Sequence, residues 1–244
     1  KLFVKRYEEE TNLRCQLVID QSSSMCFPVR QKVDFEHPNK LFFSIYAAAS
    51  LMELMRRQRD AVGLDLFDDK IVFHEPAKSS MVHNKLIYSE LEKLIDDYDK
   101  NNRKTTSTPQ CLHQIAEMTH RRSLVVIFTD MLDGLDDYQP MFEALEHLKY
   151  NKHEVILFHV FDSTLEQNLD FENRPYRFVD LETGDTLKLN PIEVQEAYKK
   201  IMTERKEALL RHCYQYQIDY VEADINKDYN QVLTSYLIKR TKLH

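Results

Sequence analysis

Two apolar runs of strand length, Leu17-Val18-Ile19 and Leu124-Val125-Val126-Ile127-Phe128, are each followed closely by an aspartate, Asp20 and Asp130. Short runs rich in β-branched residues read as strands buried on both faces, which places them in a mainly parallel sheet covered by helices. In open sheets of that kind, ligands sit outside the carboxyl ends of the strands, where the strand order reverses. The first run continues as Asp20-Gln21-Ser22-Ser23-Ser24, so a carboxylate is followed by hydroxyls at alternate positions. Hard divalent cations take oxygen ligands of this type, and Mg²⁺ accepts one or two carboxylates beside neutral oxygens and water. If the two strands are neighbours at the reversal, Asp20, Ser22, Ser24 and Asp130 face one crevice, and the polar loop before Pro109 brings a threonine hydroxyl beside them.

The rest of the chain supplies the elements such a sheet needs. Asn39 caps a helix running to about Asp60, with Leu41, Ile45, Ala48, Met52 and Met55 on its apolar stripe. Ala61–Phe67 and Lys70–His74, separated by Asp68-Asp69, predict a hairpin with an antiparallel edge strand. Helical periodicity returns over about Ser80–Asp97, and Pro109 opens a helix to about His120. Strands at Ser123–Asp130, Glu154–Phe161 and Ile218–Ala223 alternate with helices at about Pro140–Tyr150, Asn190–Tyr216 and Asp228–Lys239. The acidic run Glu8-Glu9-Glu10 reads as a solvated edge. This alternation predicts one doubly wound α/β domain over residues 1–244, with a mainly parallel central sheet, one antiparallel edge strand and helices on both faces. A hairpin at about 175–190 reads as a surface insertion.

Composition narrows the function. The formal charge is −7, from 40 acidic against 33 basic residues, without a dense basic patch, which argues against a nucleic-acid surface. Three scattered glycines, Gly63, Gly134 and Gly184, cannot form a glycine-rich phosphate loop. The four cysteines show no Cys-x-x-Cys spacing and fit a reducing, cytoplasmic setting. The apolar runs are too short to span a bilayer. The sequence opens at Lys1 rather than Met, as expected of a fragment, and a segment preceding it has room for a membrane anchor.

Asp20-Gln21-Ser22-Ser23-Ser24 on a first strand resembles the metal-ion-dependent adhesion site of the von Willebrand factor A fold. Within that fold, Lys5-Arg6-Tyr7-Glu8-Glu9-Glu10-Thr11-Asn12-Leu13-Arg14 leading into the motif, Ile127-Phe128-Thr129-Asp130, and the late hairpin followed by a helix resemble the bacterial proteins grouped as domain of unknown function 58. The resemblance covers essentially the whole chain and implies that an N-terminal portion of the usual domain precedes Lys1. It implies a Mg²⁺ ion (or Mn²⁺ or Ca²⁺) held by Asp20, Ser22, Ser24, a threonine and Asp130, the aspartates partly through water. Counting back from Leu112 favours Thr106 as that threonine, with Thr105 where the family usually has glycine; Thr105 and Thr108 stay open. Gln21 stands where threonine or glycine is commoner, and its backbone is expected to matter more than its side chain.

The resemblance further implies a binding role, in which the open coordination position takes an acidic side chain from a protein partner, and an association with MoxR-type AAA+ ATPases. Two other readings stay open. One is a metal-dependent hydrolase or phosphoryl-transfer enzyme using Asp20 and Asp130, with Ser22 or Ser24 as nucleophile. The other is a scaffold whose metal site is vestigial. His113, Glu117 and His120 share a helix face at zinc-like spacing but lack a His-Glu-x-x-His signature, so a solvated face explains them better. Asp133 and Asp136 are expected at the rim of the candidate site.

Overall fold

The computed structural model describes residues 13–96, 104–132 and 138–243. The expectations for the acidic run at Glu8–Glu10 and for Asp133 and Asp136 therefore lie outside the described residues. The central sheet is built by β1 (Arg14–Asp20), β2 (Ala61–Phe67), β3 (Ile71–Lys78), β4 (Leu124–Thr129), β5 (Glu154–Phe161) and β8 (Asp219–Asp224). Its order is β3-β2-β1-β4-β5-β8, and β6 (Tyr176–Val179) and β7 (Thr186–Leu189) form a separate two-stranded sheet. All neighbours in the central sheet are parallel except β2 and β3, the expected antiparallel edge pair.

Side-chain alternation explains why helices cover both faces. On β1, Cys15, Leu17 and Ile19 point to one face, where they meet Leu51, Met52 and Met55 of α1 (Lys40–Arg57) and Ile87 and Leu91 of α2 (Met81–Asp96). Val18 points the other way, into a layer with Leu112 and Ile115 of α3 (Thr108–Met118), Leu145 of α4 (Gln139–Tyr150) and Leu209 of α5 (Pro191–Gln215). Neighbouring strands share the pattern: Leu124, Val126 and Phe128 join the first layer, and Val125 and Ile127 the second. The last helix, α6 (Asn230–Leu243), places Val232 and Tyr236 in the first layer. Near-continuous apolar runs are thus what a strand buried on both faces requires.

Local signals set the element ends. Asn39 caps α1 through its side chain, which accepts from the Phe42 N–H at 2.8 Å. Asn190, at the N-cap position of α5, makes no side-chain cap bond, and its amide donates instead to Asn173 Oδ1 at 3.0 Å. Pro191 alone carries the helix-start signal there. The β3 strand extends past His74 to Lys78 because an edge strand tolerates Pro76 where no neighbour needs its N–H.

Topology then fixes where a ligand belongs. From β1 the chain moves outward to β2 and β3, then returns across β1 to β4 on its other side. The reversal falls between β1 and β4, where Ile19 pairs with Phe128, so Asp20 and Thr129 come next on adjacent strands and Asp130 follows directly.

Gly63, on β2, lies where the sheet leaves no room for a side chain. A Cβ there would lie 2.1 Å from Gln16 Oε1, 2.6 Å from the Glu75 carbonyl oxygen and 2.7 Å from the Ala77 nitrogen. The glutamine can move, but the two backbone atoms of β3 cannot without breaking the edge pairing. Gly63→Ala is therefore expected to destabilise the fold by about 1–3 kcal/mol, read from the midpoint of urea unfolding; an unchanged midpoint would show that β3 yields freely.

Candidate functional site

Leaving β1, the chain makes one more ladder bond, from the Gln21 N–H to the Phe67 carbonyl at 2.8 Å, and then winds into a 3₁₀ turn at Ser23–Cys26. Asp20 Oδ1 accepts from the Ser22 N–H at 2.9 Å, which turns the backbone back over the strand end. Its other oxygen accepts from Thr129 Oγ1 of β4 at 2.9 Å. Asp20 is therefore clamped between its own loop and the neighbouring strand. The Ser22 and Ser24 hydroxyls face each other at 3.0 Å, and the Ser24 hydroxyl also bonds to Asp130. Asp20, Ser22, Ser24 and Asp130 thus meet at one place, the crevice the topology selects.

The threonine loop is tied to the same place. The Lys104 N–H donates to Ser23 Oγ at 2.7 Å, the Ser23 N–H to the Lys104 carbonyl at 3.0 Å, and the Ser107 N–H to the Asp68 carbonyl at 3.1 Å. Thr105 is exposed, Thr106 half-buried and Thr108 buried, and the hydroxyls of Thr106 and Thr108 lie 3.0 Å apart. The Gln21 side chain has a larger part than expected. It is buried, donates to Asp68 Oδ2 at 3.2 Å and accepts from Lys104 Nζ at 3.3 Å, stitching the end of β2 to the threonine loop.

Three charged residues at the site were missed from the sequence. Lys40, the first residue of α1, is wholly buried and donates to Asp130 Oδ2 at 2.8 Å and Glu166 Oε1 at 2.6 Å. Glu166 comes from a one-turn π-helix at Ser163–Gln167, whose start is held by Asp162 accepting from the N–H groups of Thr164 and Leu165. Glu182, in the turn between β6 and β7, accepts from the Thr106 N–H at 3.2 Å and bonds to the Ser24 hydroxyl. Each belongs to a segment that reads in isolation as a helix start, a loop or a surface turn. A buried lysine at a helix amino terminus is the one anomaly a reader could have noticed, because the helix dipole disfavours a cation there.

These groups make the site rich in acid and poor in base. Burial and then the charge of Asp130 push the Asp20 carboxyl up, against the bonds from Ser22 and Thr129. Burial alone would raise Asp130 too, but the Lys40 ammonium outweighs it and holds Asp130 below its ordinary range. Burial also raises Glu166 and Glu182. Lys40 is paired with Asp130 and Glu166, while Asp20 and Glu182 have no ion pair among the described residues.

The donor set suits a hard cation. The single Ser24 proton cannot serve Asp130 and Glu182 at once, so oxygens outnumber protons at this point. Among the described residues, no three His, Cys, Asp or Glu side chains converge as a metal-binding group. A cation here would draw on the hydroxyls of Ser22 and Ser24, on one from the threonine loop and on water as well as on Asp20 and Asp130, a donor set chemically appropriate to Mg²⁺. Elsewhere, His113 and His147 meet at 2.9 Å and His147 Nε2 lies 2.6 Å from Glu117, while His120 turns away toward Arg14; this is a polar contact between α3 and α4. Cys15, Cys26, Cys111 and Cys213 form no disulfide, and burial pushes the Cys26 thiol up to about 11, which keeps it protonated at neutral pH.

Lys40 joins two buried carboxylates at this end of the sheet. Removing one member of a buried ion pair strands its partners, so Lys40→Met is expected to cost about 3–5 kcal/mol. Combining it with Asp130→Asn and Glu166→Gln should restore a substantial part of that loss in urea unfolding. If the triple variant is as unstable as the sum of its parts, the three side chains do not act as one unit.

Comparison with known proteins bears on the same architecture. The conserved hypothetical protein BatB from Bacteroides thetaiotaomicron superposes with a TM-score of 0.56 at 15% identity, covering 96% of this chain and all (100%) of that one. An aerotolerance-related membrane protein from Bacteroides fragilis NCTC 9343, bearing multiple mutations to serines, gives 0.56 at 15% identity over 94% of this chain and 98% of its own. The similar structures include the von Willebrand factor A domain of SpRpn10, at a TM-score of 0.37 and 13% identity over 61% of this chain and 75% of its own, which is too distant to carry an argument. No curated protein matches. The family described as "Protein of unknown function DUF58" matches residues 1–208. The chain belongs to that family, and its fold is a doubly wound α/β fold with a six-stranded, mainly parallel sheet covered by helices on both faces.

Proposed function

We propose that this chain is a non-enzymatic protein-interaction module whose recognition element is a divalent cation held at the β1/β4 crevice. The observation that carries the reading is the convergence of Asp20, Ser22, Ser24 and Asp130 at the strand-order reversal, with the threonine loop bonded to the same turn. When bound, Mg²⁺ or Mn²⁺ would supply a hard positive centre with an exchangeable position for a carboxylate. The chain's own residues do the rest. Asp20 and Asp130, each about 1–2% exposed, lie deep and provide negative charge. Ser24 and Thr106, half-buried, offer neutral oxygens at the rim. Lys40 balances Asp130 and Glu166 and keeps Asp130 ionised. Thr129 and the Ser22 N–H fix the Asp20 carboxylate in place, so little reorganisation is needed on binding.

The partner in this reading is a protein that presents an acidic side chain, and a MoxR-type AAA+ ATPase is the candidate the family resemblance brings. Four cysteines that form no disulfide fit a cytoplasmic setting for that encounter. No helix among the described residues is long and apolar enough to cross a membrane.

Calorimetric titration with Mg²⁺ and Mn²⁺ tests the reading. The wild-type chain should bind one ion, and Asp20→Ala and the double change Ser22→Ala with Ser24→Ala should each weaken binding at least about tenfold. A pull-down from cell extract with and without chelator should then lose the same proteins that Asp20→Ala loses. Metal binding that is absent, or indifferent to these substitutions, would contradict the proposal.

A further inference from the structure

Resting on the cation site proposed above, we infer that Glu182 is a built-in carboxylate of that site: the β6–β7 hairpin holds it against Ser24 and Thr106, in the position an acidic partner side chain would take. Three observations support it. First, one carboxylate joins two separate loops. Glu182 Oε2 accepts from the Thr106 N–H at 3.2 Å and the same side chain bonds to the Ser24 hydroxyl, so it lies across the rim between two of the candidate ligands.

Second, the tip that presents Glu182 is shaped for the purpose. Asp180 Oδ1 accepts from the N–H groups of Glu182 at 2.8 Å and Thr183 at 2.9 Å, and the Asp180 N–H donates to the Asp185 carbonyl at 2.9 Å. Gly184 closes the turn with φ of 80°, a left-handed conformation that costs glycine little, and its N–H donates to the Asp180 carbonyl at 3.0 Å. The hairpin is supported from within by Phe171, Tyr176 and Phe178, with ring centroids 5.2 Å and 5.4 Å from Phe171. Because β6 and β7 pair, among the described residues, only with each other, moving Glu182 off the site breaks no hydrogen bond of the central sheet.

Third, the electrostatics call for a positive charge here. Glu182 sits within the field of Asp130 and has no ion pair among the described residues, while Lys40 is committed to Asp130 and Glu166. Carboxylates brought together in this way repel unless a cation lies near them. The hairpin therefore closes the site in cis, and a partner's acidic side chain must displace Glu182 to engage it.

The test uses Mn²⁺ with the full chain, comparing wild type with Glu182→Gln and Glu182→Ala. Water-proton relaxation reports the exchangeable waters on bound Mn²⁺, and titration reports its affinity. The expected result is at least about tenfold weaker Mn²⁺ binding in Glu182→Ala with higher relaxation per bound ion, because water replaces the carboxylate; Glu182→Gln should shift both in the same direction. Equal affinity and equal relaxation in wild type and both variants would overturn the role of Glu182 while leaving the cation site standing. Failure of all three proteins to bind Mn²⁺ would overturn the cation site and this inference together.

Discussion

The structure turns on burying two carboxylates, Asp20 and Asp130, side by side at the ends of adjacent parallel strands. Burial of an ionised carboxylate is costly unless its charge and lone pairs are met. Asp20 is met by the Ser22 N–H and the Thr129 hydroxyl, and Asp130 by Lys40, the Ser24 hydroxyl and the Leu132 N–H. Those partners come from the 3₁₀ turn after β1, the end of β4, the amino terminus of α1 and the loop after β4, so satisfying the pair ties these segments together. Lys40 in turn needs Glu166, which recruits the π-turn after β5. One electrostatic problem thus organises the whole carboxyl edge of the sheet.

Much of this was legible in the sequence because the sheet is coded by local pattern. Near-continuous apolar runs gave β1, β4 and β5, and Asn39 and Pro109 marked helix starts that the structure bears out. The adjacency of Asp20 and Asp130 was conditional on the strand order, and the structure meets the condition by placing the reversal between β1 and β4. Lys40, Glu166 and Glu182 were not legible. Their significance arises from contacts across 90 residues or more in chain distance, or from a turn whose local pattern is that of any exposed hairpin. Gln21 was misjudged for the same reason: its side chain works through Asp68 and Lys104, neither of which is near it in sequence. Among the threonines, the structure ties Thr106 to Glu182 and Thr108, which distinguishes it from the exposed Thr105 without assigning it a ligand role.

The likeness to solved structures at 15% identity shows how little of the sequence the fold needs. Strand alternation and helix stripes carry the architecture, and the site residues are an addition at its carboxyl edge. That separation is typical of superfolds, in which function is decided by side chains at one end of the scaffold. In this chain a hairpin outside the central sheet also reaches that edge, where Glu182 bonds to the Thr106 N–H and the Ser24 hydroxyl.

The central claim is that the crevice between β1 and β4 holds a cation, and anomalous X-ray scattering from crystals soaked in Mn²⁺ tests it most directly. The account predicts a single strong peak bounded by Ser22, Ser24 and Thr106, with Asp20 and Asp130 behind it and Lys40 still paired to Asp130. A peak elsewhere, or none at this crevice at saturating Mn²⁺, would contradict it and leave Lys40 as the only cation these carboxylates require.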